Sequence, residues 1–346
     1  MRLLIRATNW VGDAIMALPA LQALRKRFVD AHIAILALPY VAEVYQGQGI
    51  ADELIVYDRK GEHAGIRRRE RLVATLESKQ FDTALLLQNA FEAAWIVWRA
   101  GIPLRIGYNR DGRGLLLTKA IPVPKAGEIP AHEKFYYLEL VRRVGWLESL
   151  PDVPEIALRV KAEQLEEAEG KLRVLGARVG VTRVAVGAGA SYGSAKCWPP
   201  ERFAQALNQL RSERDADIVL FGTPAETNVS AAIQAGLSQP ALDLTGKTQI
   251  AELSALLSRC SVFLGNDSGA MHVAAAVGLP VVAVFGPTDP FGTAPVTPRC
   301  TIVQEMPYCS PCFLRRCPTD HRCMTAVTPE MVSAPLLRTL AEVPSA

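Results

Sequence analysis

Short apolar runs and longer mixed segments alternate from the start of the chain. Residues 3–6, 33–38, 54–57 and 83–87 are apolar runs of strand length, each followed by a stretch that includes a helical pattern. The second half repeats the rhythm, with runs at 184–188, 218–221, 262–264 and 281–285 separated by helix-patterned segments at 200–211, 225–235 and 250–258. Strands alternating with helices predict an α/β fold in which a parallel sheet is covered on both faces, and here it is built twice. Between the halves, residues 149–177 break the pattern with Pro151, Pro154 and a glutamate-rich helical run at 163–171. The boundary is placed there, giving domains over 1–165 and 166–328 and a last helix over 329–346.

At 346 residues the chain exceeds what one hydrophobic core usually serves, which agrees with two domains. A net charge of +3 offers no electrostatic footprint for nucleic acid, so no such partner is expected. One local run, Arg67-Arg68-Arg69-Glu70-Arg71, reads as a solvated helix face that would also meet an anionic surface. No N-terminal leader is visible and no run approaches ~20 apolar residues, so a cytoplasmic location is expected. There the seven cysteines are expected as thiols or ligands rather than disulfides. Four of them, Cys309, Cys312, Cys317 and Cys323, are spaced C-x2-C-x4-C-x5-C, which is compact enough for a structural metal and equally open to free thiols or labile pairing.

In open α/β sheets ligands sit beyond the carboxyl ends of the strands. Asp13 follows the first strand in TNWVGDAIMALPAL; read alone, it caps the helix carrying Leu18, Leu21 and Leu24. After the run 184–188 comes GAGASYGSAKCWPPERF, where Gly187, Gly189 and Gly193 leave room for a ligand's close approach. Lys196 there is either a compact cation suited to phosphate or a surface lysine on a glycine-rich turn. A hydride-transfer dinucleotide site is disfavoured, because Trp198-Pro199-Pro200 separates the glycines from the next helix. Glu226, just past the run 218–221, stands where a ribose diol is often held and also where a helix dipole favours an acid. In GNDSGAMHVAAAVGLP, Ser268 and Gly269 open a helix of small residues whose N–H groups suit a diphosphate. Asp267 beside it can accept from sugar hydroxyls, and His272, one turn on, is a site residue or a structural histidine. Asp215 and Asp217 spell D-x-D but precede their strand, which puts a solvated turn at the wrong edge of the sheet.

Together TNWVGDAIMALPAL, QNAFEAAWIVWRAGIPLRIGY, GASYGSAKCWPPERFA, LFGTPAE, DLTGKTQIAEL and NDSGAMHVAAA resemble the ADP-heptose:lipopolysaccharide heptosyltransferase family, over residues 1–290. The resemblance implies a GT-B architecture: two Rossmann-like doubly wound domains facing across a cleft, with the last helix crossing back to the first. It implies inverting transfer of L-glycero-D-manno-heptose from ADP-heptose to the first heptose of the lipopolysaccharide inner core, with peripheral contact at the cytoplasmic face of the inner membrane. On the family's pattern Asp13 is the catalytic base and Lys196 binds phosphate. Asp267 contacts the sugar, Ser191, Tyr192, Ser268, Gly269 and His272 line the donor site, and Glu226 and Thr248 lie near ribose and adenine. Cys197 stands where the family often carries a larger basic residue. Lysine and helix terminus take the role of a divalent metal, so no cofactor is required for catalysis. Arg67 to Arg71 with Arg105, Arg110 and Arg113 become guides for the anionic acceptor. Two other classes fit the scaffold, a nucleotide-sugar epimerase that needs no acceptor and a nucleotide-binding protein without turnover. Asp13 discriminates, since a pure binder has no use for a base.

Overall fold

The structure is a computed structural model, and its described residues are 1–342; positions 343–346 of the expected last helix lie outside them. The chain divides into two compact units between Val153 and Pro154, so residues 154–165 belong to the second unit and not the first. The reason is local pairing: Ile156 N–H donates to Val296 O at 3.0 Å and Leu158 N–H to Ala276 O at 2.7 Å.

In the first unit, β1 (Arg2–Arg6), β2 (His32–Ala37), β3 (Glu53–Val56), β4 (Thr83–Leu86), β5 (Leu104–Tyr108) and β6 (Lys119–Ile121) form one parallel sheet in the order β3-β2-β1-β4-β5-β6. In the second, β7 (Thr182–Gly187), β8 (Ala216–Phe221), β9 (Leu242–Asp243), β10 (Val262–Asn266), β11 (Val281–Phe285) and β12 (Cys300–Gln304) follow the order β12-β11-β10-β7-β8-β9. The two paths are the same: in each sheet the first strand lies between the second and the fourth. The winding therefore reverses between β1 and β4 and between β7 and β10, and these are the places where doubly wound sheets open for ligands. The central strands are apolar along their whole length because helices cover both faces; every residue of β8, β10 and β11 is buried. The strands that sequence periodicity did not predict, β5, β6, β9 and β12, lie toward the sheet edges. They are short or partly exposed, and Lys119, Arg105 and Gln304 interrupt their apolar pattern.

The D-x-D pair lies at the amino end of β8, where Arg178 binds Asp215 at 2.7 Å and Asp217 at 2.8 Å. The last helix, Pro329–Glu342, was expected to cross back to the first domain. Instead Val332, Leu336 and Leu340 are built into the second unit's core, against helix Pro200–Glu213. No described helix is long and apolar enough to cross a membrane.

Trp198 anchors that core. It is fully buried, meets Phe203 edge-on at 4.8 Å and donates from Nε1 to Val327 O at 3.0 Å. Its loss would leave a large cavity, while Val327 O keeps its second donor, Arg202, so Trp198→Ala should lower stability by about 3–5 kcal/mol through lost packing. Urea unfolding would show this as a lower midpoint, and a change below ~1 kcal/mol would contradict it.

Candidate active site

At the first switch point, the loop after β1 is held by a buried arginine. Arg6 donates to Ala7 O at 2.7 Å and to Asn9 Oδ1 at 2.8 Å, and its guanidinium lies over the Tyr57 ring at 5.6 Å. Burial pushes this guanidinium down to about 10, still well charged at neutral pH. Tyr40 adds a bond from its hydroxyl to Asn9 O at 2.8 Å. On this rigid loop helix Val11–Met16 begins with Trp10 as its N-cap, and Trp10 makes no side-chain cap bond. Asp13 is thus a first-turn acid and not the capping residue, and a second helix, Leu18–Arg27, carries Leu18, Leu21 and Leu24. Asp13 is half-buried, and Oδ1 accepts a hydrogen bond from the Tyr137 hydroxyl at 3.1 Å. Tyr137 lies on helix Glu133–Val144, far away in sequence, and no local pattern pointed to it.

Arg113 is not a guide for a ligand. It is fully buried and donates to Tyr108 O at 3.0 Å, to Gln88 O and to Asn89 Oδ1 at 3.0 Å, which clamps the loop after β4. Arg105 is tied to the carbonyls of Leu116 and Ile102. Arg69 pairs with Glu92 at 2.9 Å, whereas Arg67, Arg68 and Arg71 are exposed on helix Gly65–Ser78.

At the second switch point, the loops after β7 and β10 bring Lys196 and Asp267 together. Lys196 Nζ meets Asp267 Oδ2 at 2.5 Å, and Thr288 Oγ1 donates to the same oxygen at 2.6 Å. Both side chains are nearly out of solvent, at 12% and 5% exposure, so this is a buried pair. The Lys196 ammonium also lies over the Tyr192 ring at 4.8 Å. Asn266, fully buried, fixes the geometry between the loops: Oδ1 accepts from Trp198 N–H at 3.0 Å and Nδ2 donates to Ala188 O at 2.5 Å. Ser268 is the N-cap of helix Gly269–Ala276 but makes no cap bond, and its hydroxyl is buried without a partner among the described residues. A cation, an open helix N-terminus and an unsatisfied hydroxyl in one place suit an anionic ligand. His272 is buried within that helix.

The remaining expected residues fall around this point. Ser191 and Tyr192 lie on the loop before Lys196, where the Tyr192 hydroxyl donates to Phe313 O at 2.7 Å. Glu226 follows β8 and accepts from Thr223 N–H at 2.6 Å, so its helix-start role is realised. Thr248 lies beyond β9, on a loop joined to Glu226's loop by Gly246 N–H donating to Gly222 O at 2.8 Å.

One expectation is corrected here and another is left unsupported. The space beside the glycines at the end of β7 and after it is taken up by the protein's own atoms. A Cβ on Gly187 would come within 2.6 Å of the Phe263 ring, one on Gly189 within 1.9 Å of the Glu226 carboxylate, and one on Gly193 within 2.2 Å of Arg315 O. A metal centre at the clustered cysteines is not supported: among the described residues no group of three or more His, Cys, Asp or Glu is placed to hold a metal ion. Cys323 is drawn into the second unit's core while Cys309 is exposed, and all are free thiols. Their segment instead forms a wall behind the Lys196 loop. Ala195 N–H donates to Arg315 O at 3.1 Å, His321 Nε2 pairs with Ala195 O at 2.7 Å, and the Arg315 guanidinium lies over the Tyr192 ring at 5.3 Å.

Two doubly wound parallel sheets, each with polar side chains gathered at its switch point, define an α/β protein of GT-B type. The family model for glycosyltransferase family 9 (heptosyltransferase) matches residues 69–322. Lipopolysaccharide heptosyltransferase 2 of Salmonella typhimurium is 30% identical over 310 residues, 88% of each chain. Lipooligosaccharide heptosyltransferase 2 of Campylobacter jejuni is 28% identical over 339 residues, 96% of each. The solved structure of Escherichia coli ADP-heptose lps heptosyltransferase II superposes with a TM-score of 0.82 at 26% identity, covering 99% of both chains. The chain belongs to glycosyltransferase family 9 and is a glycosyltransferase. The epimerase and non-catalytic readings fall away with that membership.

Proposed function

We propose that this enzyme moves L-glycero-D-manno-heptose from ADP-heptose to a hydroxyl of the first heptose of the lipopolysaccharide inner core, with inversion. The observation that carries the reading is the buried Lys196–Asp267 pair beside the unsatisfied Ser268 N-cap. An incoming diphosphate competes with Asp267 for the ammonium and finds the helix N–H groups next to it. Lys196 and Thr288 both hold Asp267 Oδ2, so Oδ1 remains to accept from a sugar hydroxyl.

In one displacement the bond from the anomeric carbon to the diphosphate oxygen breaks, with its electron pair leaving on ADP. The acceptor oxygen bonds to that carbon and passes its proton to Asp13. Negative charge grows on the diphosphate in this step, and a preorganised cation lowers the barrier most where charge develops. Lys196 and the helix terminus supply that positive potential from the protein's own residues. Exposed Arg67, Arg68 and Arg71 support peripheral contact with an anionic membrane face, where the lipid-linked acceptor is held.

The test is ADP release from ADP-heptose, with and without an inner-core acceptor ending in one heptose. Release should depend on the acceptor, and the product should carry the opposite anomeric configuration. Equal release without acceptor, or a retained configuration, would overturn the reading.

A further inference from the structure

Helix Glu133–Val144 packs against both helices that follow β1; its Tyr137 bonds to Asp13, and its Glu133 lies within reach of the Asp13 charge. They are four apart and so share one face of the helix, one turn from each other. Tyr137 is almost fully buried and its hydroxyl donates to Asp13 Oδ1 at 3.1 Å. Glu133 opens the helix, where the dipole favours an acid, while apolar burial is provided by Leu138, Leu140 and Val141.

We propose that Glu133 and Tyr137 are positioning residues for the base: Tyr137 fixes the orientation of the Asp13 carboxylate, and Glu133 sets a second negative charge beside it. The proposal rests on Asp13 being the base. In the reaction the tyrosine directs the carboxylate toward the acceptor hydroxyl. The neighbouring negative charge favours the protonated aspartic acid that proton transfer creates, which strengthens an otherwise weak base.

The surrounding groups agree with this arrangement. Burial first, and then the charge of Asp13, raises the Glu133 carboxyl above its ordinary value, with Arg110 opposing. Arg110 is itself paired with Asp111 at 3.5 Å. Tyr137 is pushed well above the ordinary phenol range by burial, then by Asp13 and Glu133, so it stays a donor at every working pH. From helix Pro39–Tyr45, buried Tyr45 faces the same carboxylate, and it too is raised, by burial first. The charge of Arg6, from β1, acts on Tyr45 in the opposite direction.

A raised carboxyl costs stability once ionised: the folded state binds the proton more tightly than the unfolded chain, so Glu133 opposes folding as pH rises through its folded value. Glu133→Gln should therefore melt no lower than the parent at pH 7, although it is slower. A residue kept for structure would behave in the opposite way.

The decisive measurement is the acid limb of kcat/KM against pH, for the parent, Tyr137→Phe and Glu133→Gln, with circular dichroism as the folding control. Tyr137→Phe removes a donor to the carboxylate, so the limb should move to higher pH; Glu133→Gln removes a negative neighbour, so it should move to lower pH, each by roughly one unit. Both should lower the plateau rate by about tenfold, a fraction of what general-base catalysis contributes. Limbs that stay in place, or move in the same direction, overturn the proposal. Asp13→Asn in the same assay separates the two levels. If it stays active, the base assignment itself fails; if it is inactive while the limbs do not move, only the role of Glu133 and Tyr137 fails.

Discussion

Asp13→Asn should lower kcat by about 10²- to 10⁴-fold with both substrates saturating, because in the proposed mechanism it removes the group that takes the acceptor's proton. The substitution keeps the shape of the side chain and leaves an oxygen to accept from Tyr137, so the local hydrogen bond survives. Trp10, and not Asp13, occupies the N-cap, so the helix start loses at most the favourable dipole interaction of a first-turn acid, ~0.3–1 kcal/mol. That is small against a typical domain stability of about 5–15 kcal/mol. The circular dichroism spectrum should be unchanged and the melting temperature lowered by only a few degrees. A variant that keeps within tenfold of the parent rate would show that the proton leaves by another route. Alanine is a less informative choice, since it would also strand the buried Tyr137 hydroxyl, at about 1–3 kcal/mol.

Lys196→Met should lower kcat/KM by about 10²- to 10³-fold, the loss typical when one preorganised charge-stabilising donor is removed. Here the activity and the fold are entangled, because Lys196 also neutralises a carboxylate with only 5% exposure. Removing one partner of a buried pair leaves the other charge uncompensated, and about 3–5 kcal/mol of stability is expected to go with it. The double variant Lys196→Met, Asp267→Asn separates the two effects. It removes both charges while Asn266 and Thr288 hold the loops, so the melting temperature should recover most of its loss. Activity should not recover, since neither the cation for the diphosphate nor the acceptor for the sugar returns. Thermal melts and steady-state kinetics on the parent, the single and the double variant check this. If activity returned with stability, Lys196 would be a structural residue alone.

The strands were legible because the central positions of a doubly wound sheet are buried on both faces and must be apolar in sequence, as VVAVF in β11 is throughout. The edge strands β6, β9 and β12 were not, because a strand with one open side tolerates Lys119 or Gln304 and its pattern blurs into that of a loop. The candidate site was legible by position: Asp13, Lys196 and Asp267 each follow a strand, and the two places where winding reverses are where they lie. The glycines after β7 were misread, since a glycine needed for a ligand and one needed for a neighbouring side chain look the same until the neighbour is known. Arg113 was misread for the same reason, as burial and not charge decides whether an arginine is a guide or a clamp.

What the sequence by itself determined is therefore element type, the doubling of the fold and the loops that emerge at the carboxyl ends of the strands. These follow from local periodicity and turn chemistry, which neighbouring residues set among themselves. What only the tertiary structure decided is which polar groups meet. Lys196 finds Asp267 because β7 and β10 are neighbours in the sheet, and Asp13 finds Tyr137 because a helix 124 residues further along packs onto the one after β1. Such partners are chosen by strand order and helix packing, which sum burial over a whole unit. No short stretch of chain carries that sum.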